Sequence, residues 1–387
     1  YKIMIIKKYK MFLESKKDMW SVIPDSVKDL NDVFKKAGKK LYLVGGSVRD
    51  FLLGEKPKDF DLATDALPDE VIKILQSYNY NFDHHGKAFG VVVAYTDDCP
   101  EGIEIATFRS DHYGDKLGLT RNPDVKFSTI EKDVMRRDIP FNAMFYDLDK
   151  REIVDLVGGK RDIENKITQF VGDPDLRIEE DALRILRVLR FSARYDFEIS
   201  LETKNSILKK KNKLSIITKE RIWEEFKKAF KQSKDFNNYL STITELDLWT
   251  EIFTDSNINV DLVKSKNFVI VIANLFKEES ISGLESRMVQ DYKIESDLVK
   301  KVVFLLSFLD FKPELVFDFY KKKQQSGIDD ETILEWLDVN DIDDEWMIKF
   351  IHYKPTVSSQ ELMEKGFKGP ELGREIKRLE IKKFTEL

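Results

Sequence analysis

The chain has one cysteine, four histidines and no long apolar run among its 387 residues. A single cysteine, Cys99, excludes a disulfide framework and a cysteine-ligated zinc site, and fits a reducing compartment. None of the histidines (His84, His85, His112, His352) is followed by aspartate, so no His-Asp metal module of a phosphohydrolase is visible. The longest apolar runs, FVIVIANLF (268–276) and VVFLLSFLDF (302–311), fall short of the roughly 18 residues of a membrane span and read as buried helix segments. The start, YKIMIIKKYKMF, has neither the Arg/Ser richness of a transit peptide nor the apolar core of a secretory signal. Residues 1–10 therefore read as an extension ahead of Met11. The expectation is a cytoplasmic protein, with a mitochondrial location left open, no membrane and no protein partner.

Charge, by contrast, is plentiful. Charged residues make up 35% of the chain, which suggests long solvated helices, and the net charge of −6 argues against a uniformly basic protein. Local patches matter more than the total. Between Lys204 and Lys234 ten lysines and one arginine face only three acids, whereas Asp329 to Glu345 carries acids alone. Either run also reads as a solvated helix face.

The hydrophobic pattern changes once along the chain. SVKDLNDVFKKA (26–37) has helical spacing and stops before Gly38. LYLVGG reads as a buried strand entering a glycine turn, VRDFLLG as a helical turn or two, DFDLAT as a second strand, and DEVIKILQSY as a helix with Pro68 near its start. FGVVVAYT with GIEIATFR, and FNAMFYDL with REIVDLV, look like antiparallel pairs. Residues 20–157 thus read as α+β, a small sheet with a few helices. Beyond Gly158-Gly159 nearly everything has helical periodicity, so 158–387 reads as all-α, broken near Gly172-Asp-Pro, Asp235 and Gly327.

Two short patterns carry chemistry. After a strand, Gly45-Gly46 lets the backbone approach a phosphate; Ser47 adds a hydroxyl and Arg49 a planar guanidinium suited to phosphate oxygens. Thirteen residues after Gly46 come Asp59 and Asp61. In a strand, residues two apart share a face. Two adjacent carboxylates repel unless a cation lies between them, and Mg²⁺ takes one or two carboxylates plus substrate phosphates. Glu104, on a candidate neighbouring strand, either completes a two-metal site or reflects ordinary strand alternation. Asp181 and Arg184, three apart, read as helix-surface neighbours: a salt bridge, or an acceptor beside a donor that matches the base edges of C and A but not U and G. Arg187, Arg190 and Arg194 continue a cationic stripe that calls for an anion.

GGSVRDFLLG with DFD resembles the signature of the nucleotidyltransferase superfamily that includes DNA polymerase beta. RRDIPFNAMFYD (136–147), DLVGGKRDIENKI (155–167), EEDALRILRVLRFSARYDF (179–197), TKERIWEEFKK (218–228) and VSSQELMEKGFKGPELGREIKRL (357–379) resemble, in order, motifs of class II tRNA nucleotidyltransferases, the CCA-adding enzymes, and the related bacterial poly(A) polymerases. The resemblance implies a DNA-polymerase-beta-like sheet domain at 20–157 after an extension at 1–19. A helical nucleotide-selecting neck would follow at 158–234, a body at 235–330 and a tRNA-binding tail at 331–387. It implies that Gly46 and Arg49 contact the triphosphate and that Asp59 and Asp61 hold Mg²⁺. Arg137 would bind nucleotide, with Asp181, Arg184, Arg187 and Arg190 lining it. After RRD this chain has Ile139-Pro140 where the family usually has Phe-Thr or Leu-Thr, an expected disturbance of Asn142, the ribose contact.

The function implied is addition of C, C and A to the tRNA 3′ end from CTP and ATP, by in-line attack with two metals and release of pyrophosphate. The lysine-rich 204–234 region would track RNA phosphates. A poly(A) polymerase, or an enzyme adding only CC or only A, shares this chemistry; HYGDKLGLTRNPDVKF (112–127), with Asp115 and Arg121, favours full addition. A non-catalytic RNA-binding protein is the rival of another class, and the intact Asp59/Asp61 pair argues against it.

Overall fold

The computed structural model describes residues 18–113, 124–308, 312–342 and 347–386. Asp115 and Arg121 and the 1–10 extension lie outside the described residues. The chain divides into two compact units. One runs to Ile217 and takes in Lys231–Tyr239; the other comprises Thr218–Phe230 and Leu240–Leu387.

The first unit is built on a seven-stranded mixed sheet. Its strands in chain order are β1 (Leu41–Val44), β2 (Leu62–Thr64), β3 (Asn81–Asp83), β4 (Val91–Thr96), β5 (Cys99–Thr107), β8 (Phe145–Asp147) and β9 (Glu152–Val154), arranged 3-4-5-2-1-8-9. Between β5 and β8 a separate hairpin forms from β6 (Arg109–His112) and β7 (Asp124–Phe127). The antiparallel pairs expected from sequence, β4 with β5 and β8 with β9, are present. β2 lies parallel to β5 and antiparallel to β1.

All four residues of β1 are buried, because both faces of the sheet are covered. Tyr42, Val44 and Ala63 pack with Phe108, Val134, Phe145 and Val171. The alternate residues Leu43, Leu62 and Ile105 are fully buried too. Helix Asp25–Lys36 buries Val27, Leu30, Val33 and Phe34, at i, i+3, i+6 and i+7, the one-sided apolar stripe its sequence encodes. Helix Pro68–Ser77 opens with proline at its first turn, and Glu70 accepts from Leu67 N at 2.8 Å.

Helices follow, with one departure from the all-α reading: β10 (Ile167–Thr168) and β11 (Glu198–Ile199) form a two-residue parallel ladder. Such short pairing leaves no period-2 signal in sequence. Asp155 explains the DLVGG run. Its Oδ1 accepts from Gly158 N and Gly159 N at 2.9 Å each, and its Oδ2 from Lys160 N at 2.9 Å, satisfying donors at the start of helix Gly159–Asn165.

The second unit is helical. Phe253, Phe276 and Tyr292 form one aromatic cluster, and Phe304, Phe308 and Phe319 another. Glu380, fully buried, ties the preceding loop to the last helix (Gly369–Thr385) by accepting from Tyr353 Oη at 2.6 Å, Thr356 N at 2.6 Å and Val357 N at 2.5 Å. Among the described residues no helix is long and apolar enough to cross a membrane.

Helix Gly159–Asn165 seats closely on the turn Pro140–Asn142: a Cβ at Gly159 would stand 2.5 Å from Pro140 O. Gly159→Ala is therefore expected to destabilise the chain by about 1–3 kcal/mol, read as a lower midpoint in urea; an unchanged midpoint would show that the two segments separate freely.

Candidate nucleotide and metal site

The site begins where β1 ends. Gly45 has φ +71° and ψ −114°, a conformation L side chains rarely adopt, and donates its N–H to Met144 O at 3.1 Å. This turns the chain sharply into helix Gly46–Leu52, whose first-turn N–H groups have no partner within the helix. Ser47 is buried, and its hydroxyl faces back toward Val44 O at 3.5 Å.

Arg49 also points inward. It is 5% exposed, with its guanidinium on Asp50 (2.7 Å) and on Asn142 Oδ1, and its plane 5.1 Å from the Tyr195 ring. The Ile139-Pro140 pair is buried and starts the turn that holds Asn142. Asn142 remains on the wall of the pocket described below.

Asp59 and Asp61 do not lie within a strand, as DFDLAT suggested. β2 starts at Leu62, and both aspartates sit on the approach to it. The pairing nevertheless extends one step back, since Val44 N donates to Asp61 O at 3.0 Å. The β2/β5 register pairs Leu62 with Ile105; one residue earlier it sets Asp61 beside Glu104. Alternation then turns Asp61 and Glu104 to the side of the sheet that carries Val44 and Ala63.

Asp59, Asp61 and Glu104 are solvent-accessible. The protein packed around Asp61, then the like charges of Glu104 and Asp59, push its carboxyl up to about 6, with Arg137 opposing. Among the described residues no group of three or more His, Cys, Asp or Glu is gathered closely enough to hold a metal by itself. The donor set suits a hard divalent cation such as Mg²⁺, which would relieve the repulsion and complete its shell with water or phosphate oxygens.

Arg137 lies next to the turn. Its Nη1 is 3.8 Å from where a Gly45 Cβ would stand, and its guanidinium packs 5.0 Å from the Phe145 ring. Beyond it opens a pocket of about 270 Å³ lined by Asp111, Tyr113, Arg136, Arg137, Asp138, Asn142, Asp181, Arg184 and Arg187.

Asp181 and Arg184 share this pocket but not one helix. Asp181, at φ −156°, ends helix Pro174–Glu180, and Arg184 begins helix Arg184–Tyr195. The backbone break, not helical spacing, brings them together; Asp181 Oδ1 accepts from Leu183 N at 3.2 Å.

Of the arginine stripe, Arg187 has an anionic partner within the protein. Asp138 accepts from Arg184 Nε at 2.8 Å and pairs with Arg187 Nη2 at 2.5 Å. Burial works to raise the Asp138 carboxyl, but Arg187 and Arg184 outweigh it and hold the group below the usual range. The other Arg184 nitrogens reach Glu180, Arg177 O (3.0 Å), Arg136 O (3.2 Å) and Tyr113 Oη (3.4 Å). Arg190 lies deeper, 6% exposed, on Gln232 Oε1 at 2.8 Å, and does not line the pocket.

Several lysines of the 204–234 run are likewise paired: Lys209 with Asp175 (2.5 Å), and Lys210 and Lys213 with Glu179 (2.6 and 3.1 Å). Sequence reasoning missed Asp111, Tyr113, Asp138 and Arg136 as pocket residues. The first two sit on a hairpin whose strands are short and polar; the third was legible as the last letter of RRD.

Residues 41–169 match the family described as "Poly A polymerase head domain", and residues 196–255 match "Probable RNA and SrmB- binding site of polymerase A". Poly(A) polymerase I of Salmonella typhimurium is 32% identical over 307 residues, 76% of this chain and 61% of that protein, so the chain spans about six-tenths of this relative's length. A CCA-adding enzyme of Ligilactobacillus salivarius is 32% identical over 299 residues, 73% of this chain and 70% of that one. The Bacillus stearothermophilus CCA-adding enzyme solved in complex with CTP shares the fold, with a TM-score of 0.67 at 23% identity, covering 91% of this chain and 90% of that one.

The raised Asp61 carboxyl gives a signed expectation. Its folded-state value near 6 exceeds the ordinary 3.8, so the native state binds more protons than the unfolded one in between. The contribution of Asp61 to stability therefore falls as pH rises from about 4 to 6 and stays reduced above. In metal-free protein, Asp61→Asn should raise Tm above pH 6 by about 1–3 °C, and the gain should fade as pH drops to about 4. Calorimetry across that range checks it; a gain that grows toward low pH would contradict the assignment.

Proposed function

Because the chain belongs to the family of tRNA nucleotidyltransferases and poly(A) polymerases, we propose that it is a cytoplasmic nucleotidyltransferase that adds C, C and A to the 3′ end of tRNA from CTP and ATP. The observation that carries this is the placement of repelling carboxylates (Asp59, Asp61, Glu104) beside the glycine turn, with Arg137 between them and a polar pocket. In this reading residues 20–157 are the catalytic head, 158–234 the nucleotide-selecting neck, 235–330 the body and 331–387 the tRNA-binding tail.

The triphosphate lies against the Gly45–Gly46 turn, where Arg137 offsets its charge. Asp59 and Asp61 would hold Mg²⁺, which supplies positive charge to the attacking and leaving oxygens. The tRNA 3′-hydroxyl gives up its proton to water, its oxygen bonds to the α-phosphorus in line, the bond from that phosphorus to the bridging oxygen breaks, and pyrophosphate leaves with the electron pair. Asp61, titrating near 6, is ionised at neutral pH, as a metal ligand must be. Asp181 accepts from the amino group that C and A share, and Arg184 donates to the adjacent ring nitrogen.

For Arg184 to do so, at least one of its present contacts must yield, and Asp138 and Glu180 are the anionic ones. Arg187 pairs with the same Asp138 carboxylate, so releasing Arg184 leaves Asp138 still compensated. Ser47, Arg49 and Arg190 then support the site from within. Arg49 joins the glycine helix to Asn142 and Tyr195, and Arg190 ties its helix to Gln232.

Poly(A) polymerase is the second reading, favoured by the equal identity to that relative; the larger share of the CCA-adding relative covered favours the first. Single-nucleotide extension of tRNA transcripts ending before CCA, after C and after CC separates them. The expected result is two C additions, one A and a stop. Asp59→Ala/Asp61→Ala should lower the rate by about a thousandfold or more. A long A ladder would make the chain a poly(A) polymerase, and product unchanged in the double variant would overturn the catalytic reading.

A further inference from the structure

Arg136 and Arg137 are adjacent cations, and the charge of Arg136 works against that of Arg137, as does the burial of Arg137 itself. What keeps both in place is Asp133, on helix Ile130–Met135, with a side chain 2% exposed. Arg137 donates from Nε and Nη2 to its Oδ2 at 3.1 and 2.9 Å. Arg136 donates from Nε to its Oδ1 at 2.9 Å and brings Nη2 to 2.8 Å from the same oxygen. The backbone N–H of Arg109, at the start of β6, reaches Oδ1 at 3.1 Å.

The grip is one-sided. It takes Nε and Nη2 of Arg137 and leaves Nη1, the nitrogen 3.8 Å from the position of a Gly45 Cβ. A planar guanidinium held at two nitrogens cannot rotate, so the third nitrogen is aimed. We infer that Asp133 is a positioning residue for the nucleotide: by holding Nε and Nη2 of Arg137 it directs Nη1 at the Gly45–Gly46 turn, where the triphosphate lies. The inference rests on the proposed nucleotidyl transfer. Asparagine cannot replace the carboxylate, because its amide nitrogen would turn N–H groups toward one of the two guanidiniums.

The test uses the full chain. CTP affinity is measured by equilibrium titration, and initial rates of C addition are measured at varied CTP. Asp133→Asn is expected to raise Kd and KM for CTP about tenfold, with kcat changed far less. In an Arg137→Ala background the same substitution should add less than about twofold, since its effect passes through Arg137. A fall in kcat at unchanged KM, or an equal loss of affinity in both backgrounds, overturns the inference.

Should Asp133→Asn fail to fold, Arg137→Lys serves, because lysine keeps the charge but not the two-nitrogen contact. A raised KM with Tm unchanged supports the inference, and an unchanged KM overturns it. A wild-type chain that binds CTP without adding it would sink the proposed reaction, while the binding comparison still decides the role of Asp133. A wild-type chain that binds no CTP would overturn both.

Discussion

Val44 donates its N–H to Asp61 O at 3.0 Å at the point where two short stretches of chain meet, and the site is laid out from that hydrogen bond. It extends the pairing of β1 and β2 by one rung, so the glycine turn that follows Val44 opens beside Asp61. On the other side β2 runs parallel to β5, and the register that seats Leu62 against Ile105 brings Glu104 alongside. A slip of one residue of β2 against its neighbours would exchange the faces, turning Asp61 to the side of Leu43 and Ile105 and Leu62 away from it. The hydrophobic demand on Leu62, fully buried, thus fixes the placement of an aspartate whose own interactions are repulsive.

The repulsion is tolerable because the remaining charge is balanced locally. Asp133 faces two guanidiniums, Asp138 two more, and Glu180 pairs with Arg177 and Arg184. Removing one partner of such a buried pair leaves an uncompensated charge, typically a loss of about 3–5 kcal/mol. These ion pairs therefore hold the pocket as described, and in the proposed function Arg184 gives up one contact while Arg187 keeps Asp138 compensated. Among the described residues the three carboxylates near the turn have no ion pair of this kind, only the opposing charge of Arg137 on Asp61, and in the proposed function a divalent cation would be their partner.

Much of this was legible in the residues. The glycine turn, the strands on either side of it, the helix Asp25–Lys36 and the two antiparallel pairs follow from local spacing, which is a property of neighbouring residues. Glu104 was open from sequence because alternation alone explains an acid between Ile103 and Ile105; only the parallel register, a long-range fact, brings it to Asp61. The Asp181–Arg184 pair was read on one helix, and the break at Asp181 defeated that reading without separating the residues. Arg49 was read as a phosphate contact, but its 5% exposure reflects packing against Tyr195, 146 residues away in sequence, which no local pattern carries. Asp111 and Tyr113 were invisible for a similar reason: a polar hairpin delivers them.

In the proposed function the sheet register sets Asp61 beside Glu104 next to the glycine turn, where a divalent cation would complete its shell with water and phosphate oxygens. Anomalous diffraction from crystals grown with Mn²⁺ and a non-hydrolysable CTP analogue tests it most directly. A manganese peak is expected in contact with the Asp59 and Asp61 carboxylates, with analogue phosphate density between that peak and the Gly45–Gly46 turn. Manganese bound elsewhere, or analogue density away from the turn, would contradict it.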